Sequence, residues 1–178
     1  VSFIHSSLSL TVLVVLAVVT STIIMEFSLN DHQITMAQQQ SHVNLTSDEK
    51  QKALEGISFQ LGNVTFSHHT AAVNGIQMHY VIGGHGDPVV LLHGWPQTWH
   101  EWRHVMPALA RNYTVIAPDL RGLGESSKPI TGYDGKTTAE DIHQLVTKLG
   151  FNDIFLVGHD FGVQVAYSYA AAHPNETK

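Results

Sequence analysis

Two hydrophobic periods alternate along this chain, and the point where they begin divides it. Residues 1–25 contain no Lys, Arg, Asp or Glu, and residues 10–19 are apolar except for Thr11. Extended to residues 8–24, the run reaches the lower length limit of a membrane span. Its shorter centre fits the apolar region of a secretory signal. No basic residue precedes the run, no A-x-A site follows it, and the first residue is Val. Two readings stand: residues 1–25 are a signal or anchor, or they are an upstream leader and Met25 or Met36 is the start. Residues 26–61 are polar, with Gln38-Gln39-Gln40 near the centre, and are predicted to be a linker carrying one short helix at 47–54.

From residue 62 onward, period-two and period-3.6 segments follow one another, which is the pattern of an α/β domain. Asn74-Gly75 stands between apolar flanks, the strongest short-range hairpin signal, so residues 64–72 and 76–82 are predicted antiparallel strands. Residues 88–92 (Pro-Val-Val-Leu-Leu) form a continuous apolar run, as a strand buried on both faces requires. Thr98 and Glu101 have capping-box spacing and open a predicted helix bearing Trp99, Trp102, Met106 and Leu109, which Pro107 should distort. Residues 113–117 are a second buried strand, and residues 119–135 a Gly/Ser/Pro loop. Thr137 and Glu140 are predicted to cap a second helix, with Ile142, Leu145, Val146 and Leu149 on one face and Gly150 as its stop. Residues 154–157 are a third buried strand and 161–172 a third helix. Right-handed crossovers place the three interior strands parallel, with their C-terminal loops on one side. After residue 172 the chain ends within six residues, so the expected α/β domain is truncated after that helix.

Composition narrows the function. At 178 residues the chain holds one globular domain at most. A net charge of −6 argues against a nucleic-acid partner, which needs a basic face. The absence of Cys removes disulfides, thiolate metal sites and a thiol nucleophile. Thirteen His raise the question of metal binding. His100 and His104 share a helix face, but Arg103 rather than Glu lies between them, so a solvated face is expected and no metal site is assigned. Four N-x-[ST] sequons, at Asn44, Asn63, Asn112 and Asn175, matter only in a glycosylating compartment.

The chemistry gathers at the ends of the interior strands. The third is followed by Gly158-His159-Asp160-Phe161-Gly162. A strand that turns into a helix within two residues forces the central residue into a strained conformation and projects its side chain above the sheet. The flanking glycines permit close chain approach. The new helix offers the free N–H of Phe161 and a positive dipole end. Asp160 is then either a nucleophile or only the cap of that helix. A carboxylate with an ordinary pKa of about 3.9 is ionised at neutral pH. It suits displacement at a saturated carbon with a strained or good leaving group, forming an alkyl ester that water must later cleave.

Two more motifs join this one: His93-Gly94-Trp95-Pro96-Gln97-Thr98-Trp99-His100-Glu101-Trp102 and Pro118-Asp119-Leu120-Arg121-Gly122-Leu123-Gly124-Glu125-Ser126. In order and spacing, residues 62–178 resemble the first half of the α/β-hydrolase fold, within its epoxide hydrolase and dehalogenase branch. The resemblance makes Asp160 the nucleophile and the backbone N–H groups of Trp95 and Phe161 the oxyanion donors. It gives His93, Gly94, Pro96, Gly158, His159 and Gly162 structural parts in the motifs. It implies no cofactor, and it places the base His, its acid and the lid tyrosines beyond the elbow, outside this chain. Tyr167 and Tyr169, on the helix after the elbow, are too far from a lid to serve as acids.

Three functional readings remain. The first is a hydrolase that opens small apolar epoxides with water through a covalent ester. The second is a haloalkane or haloacid dehalogenase. Against it, Trp95 and Phe161 stand where halide-binding Asn and Trp are usual, and Phe161, Val163 and Gln164 offer no cation for a substrate carboxylate. The third is an inactive fragment, exported or anchored through residues 8–24. Localisation divides in the same way: extracytoplasmic or membrane-anchored if residues 1–25 belong to the protein, cytoplasmic otherwise. Oligomeric state has no signal in the sequence.

Overall fold

The computed structural model describes residues 46–178. The apolar leader, the start of the polar segment and the Asn44 sequon lie outside the described residues. Helix α1 (Ser47–Leu54) forms where a short helix was expected. Among the described residues, no helix is long and apolar enough to cross a membrane.

Six strands make one mixed sheet: β1 (Ser58–Leu61), β2 (Val64–Val73), β3 (Ile76–Gly84), β4 (Asp87–Leu92), β5 (Tyr113–Pro118) and β6 (Phe155–Gly158), in the order β1-β2-β3-β5-β4-β6. The β2–β3 hairpin closes at Asn74 and Gly75, with φ of 41° and 78°, the paired positive values that suit the right-handed twist of the flanking strands. Strand β3 pairs antiparallel with β5, while β4 lies parallel to both β5 and β6. The predicted parallel arrangement of the three interior strands is therefore present. Strand β1 is a difference: its four residues, expected to be the end of the linker, pair with β2 from Ser58↔Ser67 to Leu61↔Val64.

Alternation along the strands fills two cores. On one face Met78, Val90, Leu92 and Ile116 pack with Ile142, Leu145, Val146, Val165 and Tyr169 of helices α3 (Gly135–Lys148) and α4 (Phe161–Ala172). On the other, Phe66, Val81, Leu91 and Val115 pack with Met106, and Trp99 and Trp102 lie against them. Strand β4 is buried from Pro88 to Leu92, as its unbroken apolar run requires. Strand β6 differs from its expected full burial. It has one ladder partner, β4, and beyond it only a parallel bridge between Ile154 and Thr177, so Val157 remains 39% exposed.

Two helix starts also differ. The expected helix over Trp99 to Leu109 is a 3-10 turn (Trp99–His104) followed by a four-residue helix, α2 (Met106–Leu109). Pro107 lacks an N–H and sits in the first turn of α2, the position where that loss costs nothing. Thr98 accepts from the His100 N–H, but Glu101 does not reach back to close the box; its carboxylate is used elsewhere. Helix α3 starts at Gly135, two residues before Thr137. Asp134 is its cap and accepts from both the N–H and the hydroxyl of Thr137. Those same two bonds lower the pKa of Asp134.

Candidate active site

Strand β6 ends at Gly158 and α4 begins at Phe161, so two residues make the turn. Asp160 takes φ 50° and ψ −117°, a region nearly closed to residues with a Cβ and costing about 1–3 kcal/mol. Gly162 makes the bend possible: a Cβ there would lie 2.1 Å from the Leu92 carbonyl oxygen. The His159 N–H donates to that same carbonyl at 3.0 Å, joining the turn to the end of β4.

The Asp160 side chain makes no capping hydrogen bond to the later amides of its helix. Its Oδ1 instead accepts from the Trp95 N–H at 3.0 Å. The Trp95 N–H, then the Phe161 N–H and the nearby His159 hold its pKa below the ordinary carboxylate value. Asp160 is exposed, so the result is an accessible, ionised carboxylate. Gly94 is packed beneath it; a Cβ on Gly94 would come within 2.7 Å of Asp160 Cβ.

The loop that presents Trp95 is fixed from both sides. His93 is fully buried; its Nδ1–H donates to the Gly94 carbonyl at 2.8 Å and its Nε2 accepts from the Leu120 N–H at 3.0 Å. That arrangement is a neutral imidazole, and burial lowers its pKa accordingly. The Trp95–Pro96 peptide is cis. Glu101 accepts from the Gly94 N–H at 3.1 Å with one carboxylate oxygen and meets His159 Nδ1 at 2.5 Å with the other.

A deeper network supports the loop after β5. Asp119 accepts from the N–H of Trp99 (2.8 Å), the N–H of Glu125 (3.0 Å) and His79 Nδ1 (2.8 Å). Burial pushes its pKa up, but the His79 hydrogen bond and charge, with the two amides, outweigh it and the net shift is down. His79 continues to His68 through a 2.9 Å ring contact. Arg121 is paired with Asp141 of α3 by bonds of 2.6 and 2.5 Å, both side chains being buried. A cavity of about 280 Å³ opens beside the elbow, lined by Trp95, Arg121, Gly122, Leu123, Tyr133 and Phe161.

The structure thus brings Asp160, Trp95 and Phe161 into direct contact, with His93, Gly94, Pro96, Gly158, His159 and Gly162 around them. His100 and His104 are exposed on the 3-10 turn, away from this group. Among the described residues, no histidine hydrogen-bonds Asp160. Sequence reasoning missed Glu101 as a bridge, the His68–His79–Asp119 chain and the Arg121–Asp141 pair. Only Glu101 had a local signal, and that signal pointed to a cap.

The sheet order, the strained turn after β6 and the loop after β4 define an alpha/beta hydrolase, and the chain belongs to the alpha/beta hydrolase fold family, which matches residues 87–178. Within it the chain is 58% identical over 104 residues to the soluble epoxide hydrolase of Corynebacterium sp. (strain C12), covering 58% of this chain and 36% of that protein. It is 40% identical over 115 residues to the fluoroacetate dehalogenase of Burkholderia sp., covering 62% and 38%. The solved structure of the epoxide hydrolase CorEH without ligand superimposes with a TM-score of 0.62 at 54% identity, covering 63% of this chain and 40% of that one. The chain spans less than two fifths of the length of these curated relatives.

Proposed function

We propose that this chain supplies the nucleophile and the oxyanion donors of a hydrolase that opens apolar epoxides. The observation that carries the proposal is the exposed Asp160 carboxylate, which accepts from the Trp95 N–H at 3.0 Å while the Phe161 N–H further favours its charged form. In the first step an Asp160 oxygen attacks an epoxide carbon. The ring C–O bond breaks, and the released oxygen takes a proton from a general acid. In the second, a base-activated water attacks the carbonyl carbon of the ester. The oxyanion that forms is stabilised by the Trp95 and Phe161 N–H groups, the loss of one such donor typically costing about 3–4 kcal/mol. The ester C–O bond then breaks, the diol leaves, and Asp160 keeps one oxygen from water. The resemblance assigns the acid and the base to lid tyrosines and a histidine outside this chain.

The second reading, dehalogenation, is favoured by the fluoroacetate dehalogenase relative. A haloacid needs a cation for its carboxylate, and the one charged residue lining the cavity, Arg121, is committed to Asp141. An apolar substrate suits that wall better. For residues 8–24, the uncharged apolar run supports export or membrane anchoring, and fractionation of cells producing the protein tests it. In full-length protein turning over an epoxide in heavy-oxygen water, label is expected in the Asp160 carboxylate. Sustained turnover with no label there overturns the ester route, and halide release without epoxide turnover selects the second reading.

A further inference from the structure

The far end of α4, about 18 Å along its 12 residues from Asp160, carries a second cluster that the proposed chemistry does not use. His173 follows the last turn of α4, His143 faces it from α3, and Glu176 lies in the turn beyond. The two imidazoles stack with centroids 3.8 Å apart and planes 7° from parallel. Each turns Nδ1 toward the same carboxylate: His143 at 3.1 Å from Oε2 and His173 at 3.7 Å from Oε1. The second distance is beyond a hydrogen bond. His173 therefore presents a ligand nitrogen to a carboxylate that it does not bond.

We propose that His143, His173 and Glu176 form a binding site for a divalent first-row transition metal, with Zn²⁺ or Cu²⁺ as the fitting ions. One donor atom from each residue lies within 4.8 Å of the other two. Tetrahedral zinc at bond lengths of about 2.0–2.2 Å places its ligand atoms about 3.4 Å apart, and the two Glu176 contacts bracket that value. Two imidazoles and a carboxylate are the borderline donors that both ions accept, with Cu²⁺ bound more tightly. The carboxylate is already oriented from behind. Fully buried Tyr169 donates its hydroxyl to Glu176 Oε2 at 3.0 Å, the outer hydrogen bond that fixes a metal ligand.

Access agrees with this assignment. The three side chains are 25%, 21% and 31% exposed, near enough to the surface for an ion to enter. A groove of about 350 Å³ runs past His143, with Glu140 and Lys148 both on its wall. The Nδ1 lone pairs lie in the two nearly parallel ring planes, so ion binding must open the stack from 7° until both planes meet at the ion. Three protein ligands leave a fourth position for water.

The test is calorimetric titration of the full chain with Zn²⁺ alone, followed by electron spin-echo spectroscopy of the Cu²⁺ form. One equivalent is expected to bind. His143→Gln and His173→Gln should each weaken it at least tenfold, with folding checked by circular dichroism. The double variant His100→Gln/His104→Gln, which removes the exposed pair on the 3-10 turn, should leave it unchanged. Two imidazole nitrogens should couple to Cu²⁺ in the unmodified protein, a readout that needs no variant to fold. No binding tighter than about 100 μM, fewer than two coupled nitrogens, or loss of binding with the His100/His104 variant instead would each overturn the proposal. None of these readouts depends on the epoxide chemistry at Asp160.

Discussion

Glu101 and His159 meet at 2.5 Å, and through that contact the loop after β4 is joined to the turn after β6. The second oxygen of Glu101 accepts the Gly94 N–H, one residue before the Trp95 donor. One side chain thus sets the spacing between the two N–H groups that hold Asp160. Glu101→Ala leaves the Gly94 N–H without its acceptor in a part-buried place, so a loss of about 1–3 kcal/mol is expected in urea unfolding. Glu101→Gln keeps an oxygen for Gly94 and should lose less. Equal losses for the two variants would show that the charge on Glu101, rather than the acceptor, carries the effect.

The backbone at Asp160 is strained, and glycine is the residue that relieves it. Asp160→Gly should raise the melting temperature of this chain while removing the proposed nucleophile. Asp160→Asn should remove the proposed nucleophile and keep the strain. A lower melting temperature for the glycine variant would show that the bonds from Trp95 and Phe161 outweigh the strain.

Under the proposed ester route, Asp160 also sets the acid limb of activity. Its pKa lies below the ordinary value of about 3.9 because the Trp95 N–H, and after it the Phe161 N–H, favour the charged form. In full-length protein its own contribution to the fall in kcat/KM must come at more acid pH than that value. A limb assigned to Asp160 by loss of ester labelling, but lying above pH 5, contradicts the hydrogen-bonded geometry.

Asp119 makes folding stability depend on pH. Its folded pKa is depressed, so its contribution is fully present above the unfolded pKa of about 3.9 and is lost as pH falls through the folded value. His79→Ala removes its buried partner and is expected to cost about 3 kcal/mol at neutral pH. It should also reduce the acid dependence below pH 4. Thermal melts of both proteins between pH 2.5 and 7 measure the two effects, and parallel curves would rule out the pair as the cause.

Gly162→Ala would place a methyl group 2.1 Å from the Leu92 carbonyl, which is main chain and cannot move aside. A loss of about 3 kcal/mol or more is expected in chemical unfolding. A variant of unchanged stability would mean that β4 and α4 can separate at the elbow.

What the sequence made legible was local. The Asn74-Gly75 turn, the apolar run of β4 and the two-residue elbow each follow from neighbours in the chain, and each is where the pattern placed it. Where two local signals competed, only packing chose between them. Asp134 and Thr137 both have cap chemistry, and the helix begins at the earlier one. Glu101 had capping-box spacing, but an N–H seven residues away and a histidine 58 positions later claimed its carboxylate. Long-range pairs left no mark at all: nothing in the spacing of His68, His79 and Asp119 announces that β2, β3 and the loop after β5 bring them into line. The exposure of Val157 likewise depends on what lies beside β6, not on the residue itself.

Both groups that hold the Asp160 carboxylate belong to the main chain. Trp95 and Phe161 also line the neighbouring cavity, and their amides favour the charged carboxylate. Those two positions can accept side chains of other sizes without disturbing the electrostatics of the proposed reacting centre. Substrate choice and chemical competence are therefore separable in this scaffold, and the walls of the cavity are the place to redesign it.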